Sequence, residues 1–329
     1  MQVDIAQFLR RGVLALTIIA AASAVSSGSQ AQDYPTQTIR LVAAFPPGAG
    51  SDILVRYFAE KLKPLSSQPI IVENKVGAGG MVASEYVAKA KPDGYTILVH
   101  SGITFANMMH MLKKPPIDAA KDIQMVAMIN RQPFMLVVKP DRPWKSVGDL
   151  TAHLKSQNGK ASYGWSATIA KVMGELYKDI AKVDVTEVSY RTGQDMLNDL
   201  LGGNLDFAIL DPTAAMAQAR EGRIRILAVG TRDRIQALPD LPTLQESGVP
   251  GVNLVGWFGA MVPAATPRPI VDKLGGWFNQ VLRTDDAAKF LNASGSDPWI
   301  MSVDEAQKVY LDEVKAWGDY VKLAKIEPQ

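Results

Sequence analysis

Gly48-Ala49-Gly50-Ser51-Asp52 is the first stretch of this chain able to do chemistry. It stands between an apolar, β-rich run and a helical pattern. That setting gathers free backbone N–H groups and the positive end of a helix dipole, which favour an anion. The plainer reading is a tight strand-to-helix turn without a ligand. The turn is not a dinucleotide fingerprint, because Ile53 stands where the third glycine would be, and no P-loop pattern occurs. Gly77-Ala78-Gly79-Gly80 repeats the strand, turn and helix setting. Two such turns at one edge of a sheet support each other, since ligands sit beyond the carboxyl ends of parallel strands.

Tyr163-Gly164-Trp165-Ser166-Ala167-Thr168 makes a third turn of this kind, with Ser166 and Thr168 bringing hydroxyls to a helix start. As a nucleophile elbow it fails at Thr168, which should be glycine. A serine hydrolase would also need one of only three histidines, and His153 falls on a predicted helix face. Met108-Met109-His110-Met111 has soft metal-ligand character, but consecutive helical residues diverge, so core packing is the better reading and no metal or cofactor is expected. Tyr190 with Thr192 and Gly193, and Asp211 before Pro212, end two further strands. Asp211 either accepts from a ligand or caps the next helix.

These turns need a frame. Thr38–Phe45 reads as a buried strand, followed by a helix whose Ile53, Leu54, Tyr57, Phe58 and Leu62 recur at helical spacing, with Ser51 or Asp52 as its N-cap. Strands at Pro69–Glu73 and Tyr95–His100, with a helix to about Ala90 between them, complete a β-α-β-α-β run over parallel strands. The alternation restarts after a strand at Phe134–Lys139. Helices are expected at Val147–Ser156, Ile169–Ile180, Gln194–Leu201 and Thr213–Glu221, strands at Lys160–Trp165, Val185–Tyr190, Leu205–Leu210 and Ile224–Gly230. A Pro-rich connection, Leu238–Pro250, leads to one more strand near Leu254–Met261. Helices follow at Ile270–Leu282, Asp285–Ala293 and Val303–Ala324. One strand is too little for a third domain, so this last part attaches to the first. The expected domains are 32–136 with 230–329, and an inserted 137–229, with crossings near Val137 and Ala228 forming a hinge over a cleft.

Arg10 and Arg11 precede an apolar run from Val13 to Ala24, and small residues lead to Ser29-Gln30-Ala31. That order is a secretory signal peptide, residues 1–31, cleaved after Ala31; the run is too short to span a bilayer. The chain then is exported, and its net charge of +2 falls to +1 with Arg10, Arg11 and Asp4 removed. A near-neutral charge leaves no nucleic-acid footprint. The absence of cysteine excludes disulfides, thiolate metal sites and cysteine nucleophiles.

Arg40–Asp52 (RLVAAFPPGAGSD), Val72–Gly80 (VENKVGAGG), Lys91–Val99 (KPDGYTILV), Asp199–Asp211 (DLLGGNLDFAILD), Ala237–Leu244 (ALPDLPTL) and Trp257–Pro267 (WFGAMVPAATP) resemble the Bug family of periplasmic solute receptors. These are the TctC-like extracytoplasmic subunits of tripartite tricarboxylate transporters. The resemblance covers essentially the whole mature chain. It implies a two-lobed α/β binding protein of the Venus-flytrap type, each lobe a mainly parallel sheet flanked by helices, with no catalytic activity. It also implies a small carboxylate held between the lobes and delivery to membrane transporter subunits by a monomer. By the same resemblance Phe45, Gly48, Ala49, Ser51 and Asp52 form the first ligand loop, and Ser101 and Thr104 line a second segment. Tyr190 and Asp211 match positions at the ends of later strands. One departure stands out: Tyr163–Thr168 is about two residues shorter than the family's Gly/Ser/Asn-rich loop. It contains Trp165, and Lys171 falls near the usual histidine. Trp165 either lines the cleft, favouring an aromatic or apolar acid, or packs into the second lobe. The expected site is therefore Phe45, Gly48, Ala49, Ser51, Asp52, Gly79, Ser101, Thr104, Trp165, Ser166, Thr168, Tyr190 and Asp211. The competing readings are an exported esterase acting from Ser166 and a flytrap sensor docking on a signalling protein.

Overall fold

The computed structural model describes residues 34–328; the expected signal peptide lies outside the described residues. Strands β1 (Ile39–Ala43), β2 (Ile70–Asn74) and β3 (Thr96–Ser101) run parallel, with β1 in the middle. Parallel neighbours need crossover helices, and α1 (Gly50–Leu62) and α2 (Met81–Ala88) supply them. After β3 come α3 (Gly102–Met111) and the short α4 (Ala119–Asp122). The chain then enters β4 (Ile123–Pro133), which the sequence reading does not anticipate. β4 is buried along nearly its whole length, so it shows no in-and-out alternation.

At Phe134 the chain leaves this sheet, and β5 (Met135–Val138) begins a second one. Helix α5 (Val147–Ser156) leads to β6 (Ala161–Trp165), α6 (Thr168–Ala181), β7 (Val185–Ser189), α7 (Gly193–Gly202), β8 (Phe207–Leu210), α8 (Pro212–Arg220) and β9 (Arg225–Val229). The second sheet has the order β7-β6-β8-β5-β9. The chain returns through residues 230–254 to β10 (Val255–Pro263), then α9 (Arg268–Leu282), α10 (Asp285–Ala293), β11 (Asp297–Pro298) and α11 (Val303–Leu323). The first sheet reads β11-β4-β10-β3-β1-β2.

Two helix-flanked sheets make the two-lobed α/β fold. Both sheets are mixed. β10 runs antiparallel to β3 and β4, and β5 runs antiparallel to β8 and β9. The antiparallel members are those next to the passages between lobes. The passages lie at Phe134 and beyond Gly230, tied by the Gly230 amide donating to the Phe134 carbonyl at 2.8 Å. Val137 and Ala228, the expected crossing points, sit inside paired strands of the second sheet. The C-terminal part also does more than complete the first lobe. Ala306 and Tyr310 of α11 pack with Phe105, Met128 and Trp257, whereas Trp317, Val321 and Ala324 pack with Leu136, Tyr163 and Phe207. α11 is therefore a strap across both lobes.

Candidate functional site

β1, β2 and β3 are parallel, so the helices that follow them, α1, α2 and α3, start at one edge of the first sheet. For the same reason α6, α7 and α8 start at one edge of the second. These edges meet between the lobes: Ile103 and Ala106 of α3 belong to the same apolar cluster as Trp165 and Ala167. The start of α3 and the turn before α6 therefore lie at the junction of the two lobes.

The helix starts among the described residues are of two kinds. α4, α5, α7, α8, α10 and α11 are capped by the side chains of Asp118, Ser146, Thr192, Asp211, Thr284 and Ser302. α1, α2, α3 and α6, which follow β1, β2, β3 and β6, have no side-chain cap, and neither does α9, which starts after Pro267. The first-turn amides of a helix have no partner of their own. The starts of α1, α3 and α6 thus leave donors and dipole ends for an anion from outside, whereas at α2 the Gly80 and Met81 amides already donate to the Gly77 and Ala78 carbonyls of the preceding 3-10 turn. Ser51, Ser101, Thr104, Ser166 and Thr168 stand at three of these starts, and among the described residues none of their hydroxyls makes a side-chain hydrogen bond. The Ser166 hydroxyl also lies 3.6 Å from where a Cβ on Gly193 would stand, which puts it against the start of α7.

The first loop is organised from beneath by Asp52. The N-cap of α1 is Ala49, so Ser51 and Asp52 lie inside the first turn and neither is the cap. The Asp52 side chain is 1% exposed. It accepts from the Gly48 amide at 2.8 Å, Arg56 Nε at 2.8 Å and Asn74 Nδ2 at 2.7 Å. Burial pushes its pKa up, but the hydrogen bonds from Arg56, Asn74 and Gly48 outweigh burial and hold it below the usual carboxylate range. Gly48 has φ +85°, a conformation glycine adopts freely. Asn74 Nδ2 also donates to the Phe45 carbonyl at 2.8 Å, tying the loop to β2. Asp52 and Gly48 thus shape the loop, and the Asp52 oxygens are committed within it. Asn74 is missed by the sequence reading, although an asparagine closing a strand before a glycine turn is itself a turn signal.

Behind Phe45 lies His100, 0% exposed, its ring 5.2 Å from that of Phe45. Burial, only partly offset by the Gly79 carbonyl, lowers its pKa to about 4, so it is neutral at neutral pH. A Cβ on Gly80 would stand 2.1 Å from His100 Nε2, which explains the glycine at this turn. Gly79 lies in the turn at φ +64°.

In the second lobe Tyr190 donates to Asp199 Oδ2 at 2.6 Å, and burial with this carboxylate raises its pKa to about 12. Asp211 caps α8 through the Ala214 amide at 3.0 Å. Trp165 is half-buried against the second-lobe core. Its indole N–H donates to Glu187 at 3.1 Å, and Lys171 Nζ, 3.0 Å from Glu187, lies 5.3 Å from the indole ring centre. Glu187 is another residue that spacing does not reveal, since it reaches Trp165 from the neighbouring strand. Among the described residues no histidine hydrogen-bonds Ser166: His110 meets the Val314 carbonyl and His153 meets Asp206. No group of three His, Asp or Glu residues able to hold a metal occurs among them either, and no described helix is long and apolar enough to cross a membrane.

Comparison with known proteins adds to this geometry. Residues 54–326 match the model of the tripartite tricarboxylate transporter family receptor. Protein BugT of Bordetella pertussis is 28% identical over 95% of this chain and 97% of its own. A protein of R. palustris solved with adipate is 32% identical, with a TM-score of 0.74 over 90% of this chain and all of that one. MatC from Rhodopseudomonas palustris, solved with bound malate, is 26% identical, with a TM-score of 0.68 over 88% of this chain and all of that one.

Proposed function

The chain belongs to the tripartite tricarboxylate transporter receptor family, and from that premise we propose that it binds one small organic carboxylate between its lobes and delivers it to a membrane transporter. The carrying observation is the set of helix starts without a side-chain cap at α1, α3 and α6, where first-turn amides are left for a ligand. A carboxylate accepting from such amides gains charge-assisted hydrogen bonds, each worth roughly 1.5–3 kcal/mol. No nearby arginine or lysine is needed to neutralise it, in keeping with the near-neutral chain. Binding of adipate by one relative and malate by another supports the ligand class. Loops from both lobes contact the acid only when the lobes close, and closure reports occupancy to the transporter.

On this reading the protein is a receptor without catalytic activity, a periplasmic monomer released from residues 1–31. The inserted lobe corresponds to residues 135–229, between the two passages. Thr168 gives a direct test. It is the first residue of α6, after an extended Ala167, a position where proline is well accepted and only the free amide is lost. Titration calorimetry with adipate and malate should give one site per chain. Thr168→Pro should weaken it about tenfold relative to Thr168→Ala. Equal affinities in the two variants would remove the α6 amide from the site.

A further inference from the structure

The two sheets have four edge strands, β2, β11, β7 and β9. Proteins keep such edges from recruiting further strands by shortening, covering or charging them. β11 is two residues long and ends in Pro298. β9 is covered where the Val229 amide donates to the Pro242 carbonyl and the Leu244 amide donates to the Val229 carbonyl. β7 exposes Thr186, Glu187 and Ser189, all polar. β2 is different. It pairs with β1 on one side only. The Ile39 amide donates to the Pro69 carbonyl at 2.9 Å, and the Lys75 amide to the Ala43 carbonyl at 2.8 Å. In that parallel ladder Ile71 and Glu73 face β1, so the N–H and C=O groups of Ile70, Val72 and Asn74 point away from the sheet. Among the described residues no group outside the sheet hydrogen-bonds them.

The surroundings of this edge combine apolar side chains with cations. Ile71, Val76, Val82 and Tyr86 are four of the seven exposed large apolar side chains among the described residues, at 46%, 51%, 44% and 36%. Arg40 stands in register with Ile71, and it lines an open groove between the sheet and α2 together with Val82 and Tyr86. Lys75 Nζ lies 4.5 Å from the Tyr86 ring centre, which brings the end of β2 to the same patch. Arg40 makes no ion pair among the described residues. Lys75 is paired with Glu73, and Arg56 with the buried Asp52. In the groove Glu85 and Asp93 are balanced by Lys89 and Lys91. Positive charge is therefore in surplus beside the strand. Open main-chain groups call for an extended backbone, the exposed apolar side chains for aliphatic residues on it, and the surplus cations for acidic ones.

We propose that β2 is a docking edge: an extended segment of a partner protein, aliphatic with acidic residues between, adds beside it as a further strand of the first sheet. The probe is the capped peptide Glu-Val-Thr-Val-Glu-Val, with Lys-Val-Thr-Val-Lys-Val and Glu-Val-Pro-Val-Glu-Val as controls. Amide-exchange NMR of the mature chain should show the acidic peptide slowing exchange at Ile70, Val72 and Asn74, with Ile71 and Glu73 unchanged. Both control peptides should bind roughly tenfold more weakly or less. Val72→Pro removes an outward N–H at an edge position, where proline is tolerated, and should weaken the acidic peptide roughly tenfold. Ile71→Glu sets a like charge against that peptide without touching a ladder bond. It should weaken binding as much while Tm stays within about 1 °C. No binding of the acidic peptide, equal binding of all three peptides, or slowed exchange away from β2 would each overturn the proposal. So would a dimer in solution that Ile71→Glu disperses, because the edge would then belong to a second copy of this chain.

Discussion

Removing the Asp52 carboxylate separates a loop-forming role from a ligand-contacting one. Asp52→Ala takes the only side chain that meets the Gly48 amide, Arg56 Nε and Asn74 Nδ2 together. Arg56 is about half exposed and is re-solvated at little cost. The Gly48 amide and Asn74 Nδ2 lose an acceptor in a part-buried place. Each orphaned donor costs roughly 1–3 kcal/mol, so the variant should lose about 3 kcal/mol in total. For a chain of this size that lowers Tm by roughly 5 °C or more. Differential scanning calorimetry without ligand reads this directly, and Ser51→Ala serves as the control, with Tm unchanged to within about 1 °C. Affinity should fall in both variants, in Asp52→Ala because the loop amides are no longer held. An Asp52→Ala protein with unaltered Tm and abolished binding would refute the argument, since Asp52 would then face the ligand and not the loop.

Two further outcomes follow from the floor of the same loops. Gly80→Ala places a Cβ 2.1 Å from His100 Nε2 on a backbone at φ +101°; chemical denaturation should show a loss of about 3 kcal/mol, partly recovered when His100→Ser is added. His100 titrates at about 4 in the folded chain, against 6.5 ordinarily. The unfolded chain therefore takes up its proton first as pH falls. Stability is full above pH 6.5 and drops towards pH 4, by about 2 kcal/mol between pH 7 and pH 5. Urea unfolding at the two pH values should show this, and His100→Gln should flatten the difference.

The parallel cores of both lobes are legible from local pattern. β1, β2, β3, α1 and α2 fall within a residue or two of their expected spans, as do β6 to β9 with their helices, because apolar runs and glycine turns punctuate them. β4 escapes the same reading. Gln124, Asn130, Arg131 and Gln132 interrupt its apolar run, and what makes Asn130 acceptable inside is distant: it donates to Ser296 and accepts from the Phe258 amide. The N-cap of α1 misleads for a similar reason. Ser51 and Asp52 are good caps by type, but Asp52 turns inward to Asn74, 22 positions away, which no local rule sees. The candidate loops do fall at shared sheet edges, because strand direction alone decides where helices begin: α1, α2 and α3 start at one edge of the first sheet, α6, α7 and α8 at one edge of the second. What the side chains do there is less visible: Tyr190 is held by Asp199, Asp211 caps α8, and Trp165 is pinned by Glu187.

The central claim, a carboxylate held by uncapped helix starts between two lobes, is tested most directly on what the protein retains. Mass spectrometry of freshly purified protein, first native and then after denaturation, measures the mass of any bound molecule and identifies it once released. The account predicts one small organic acid per chain, absent or depleted in Thr168→Pro. A retained neutral or cationic solute, or an acid retained equally by Thr168→Pro, would contradict it.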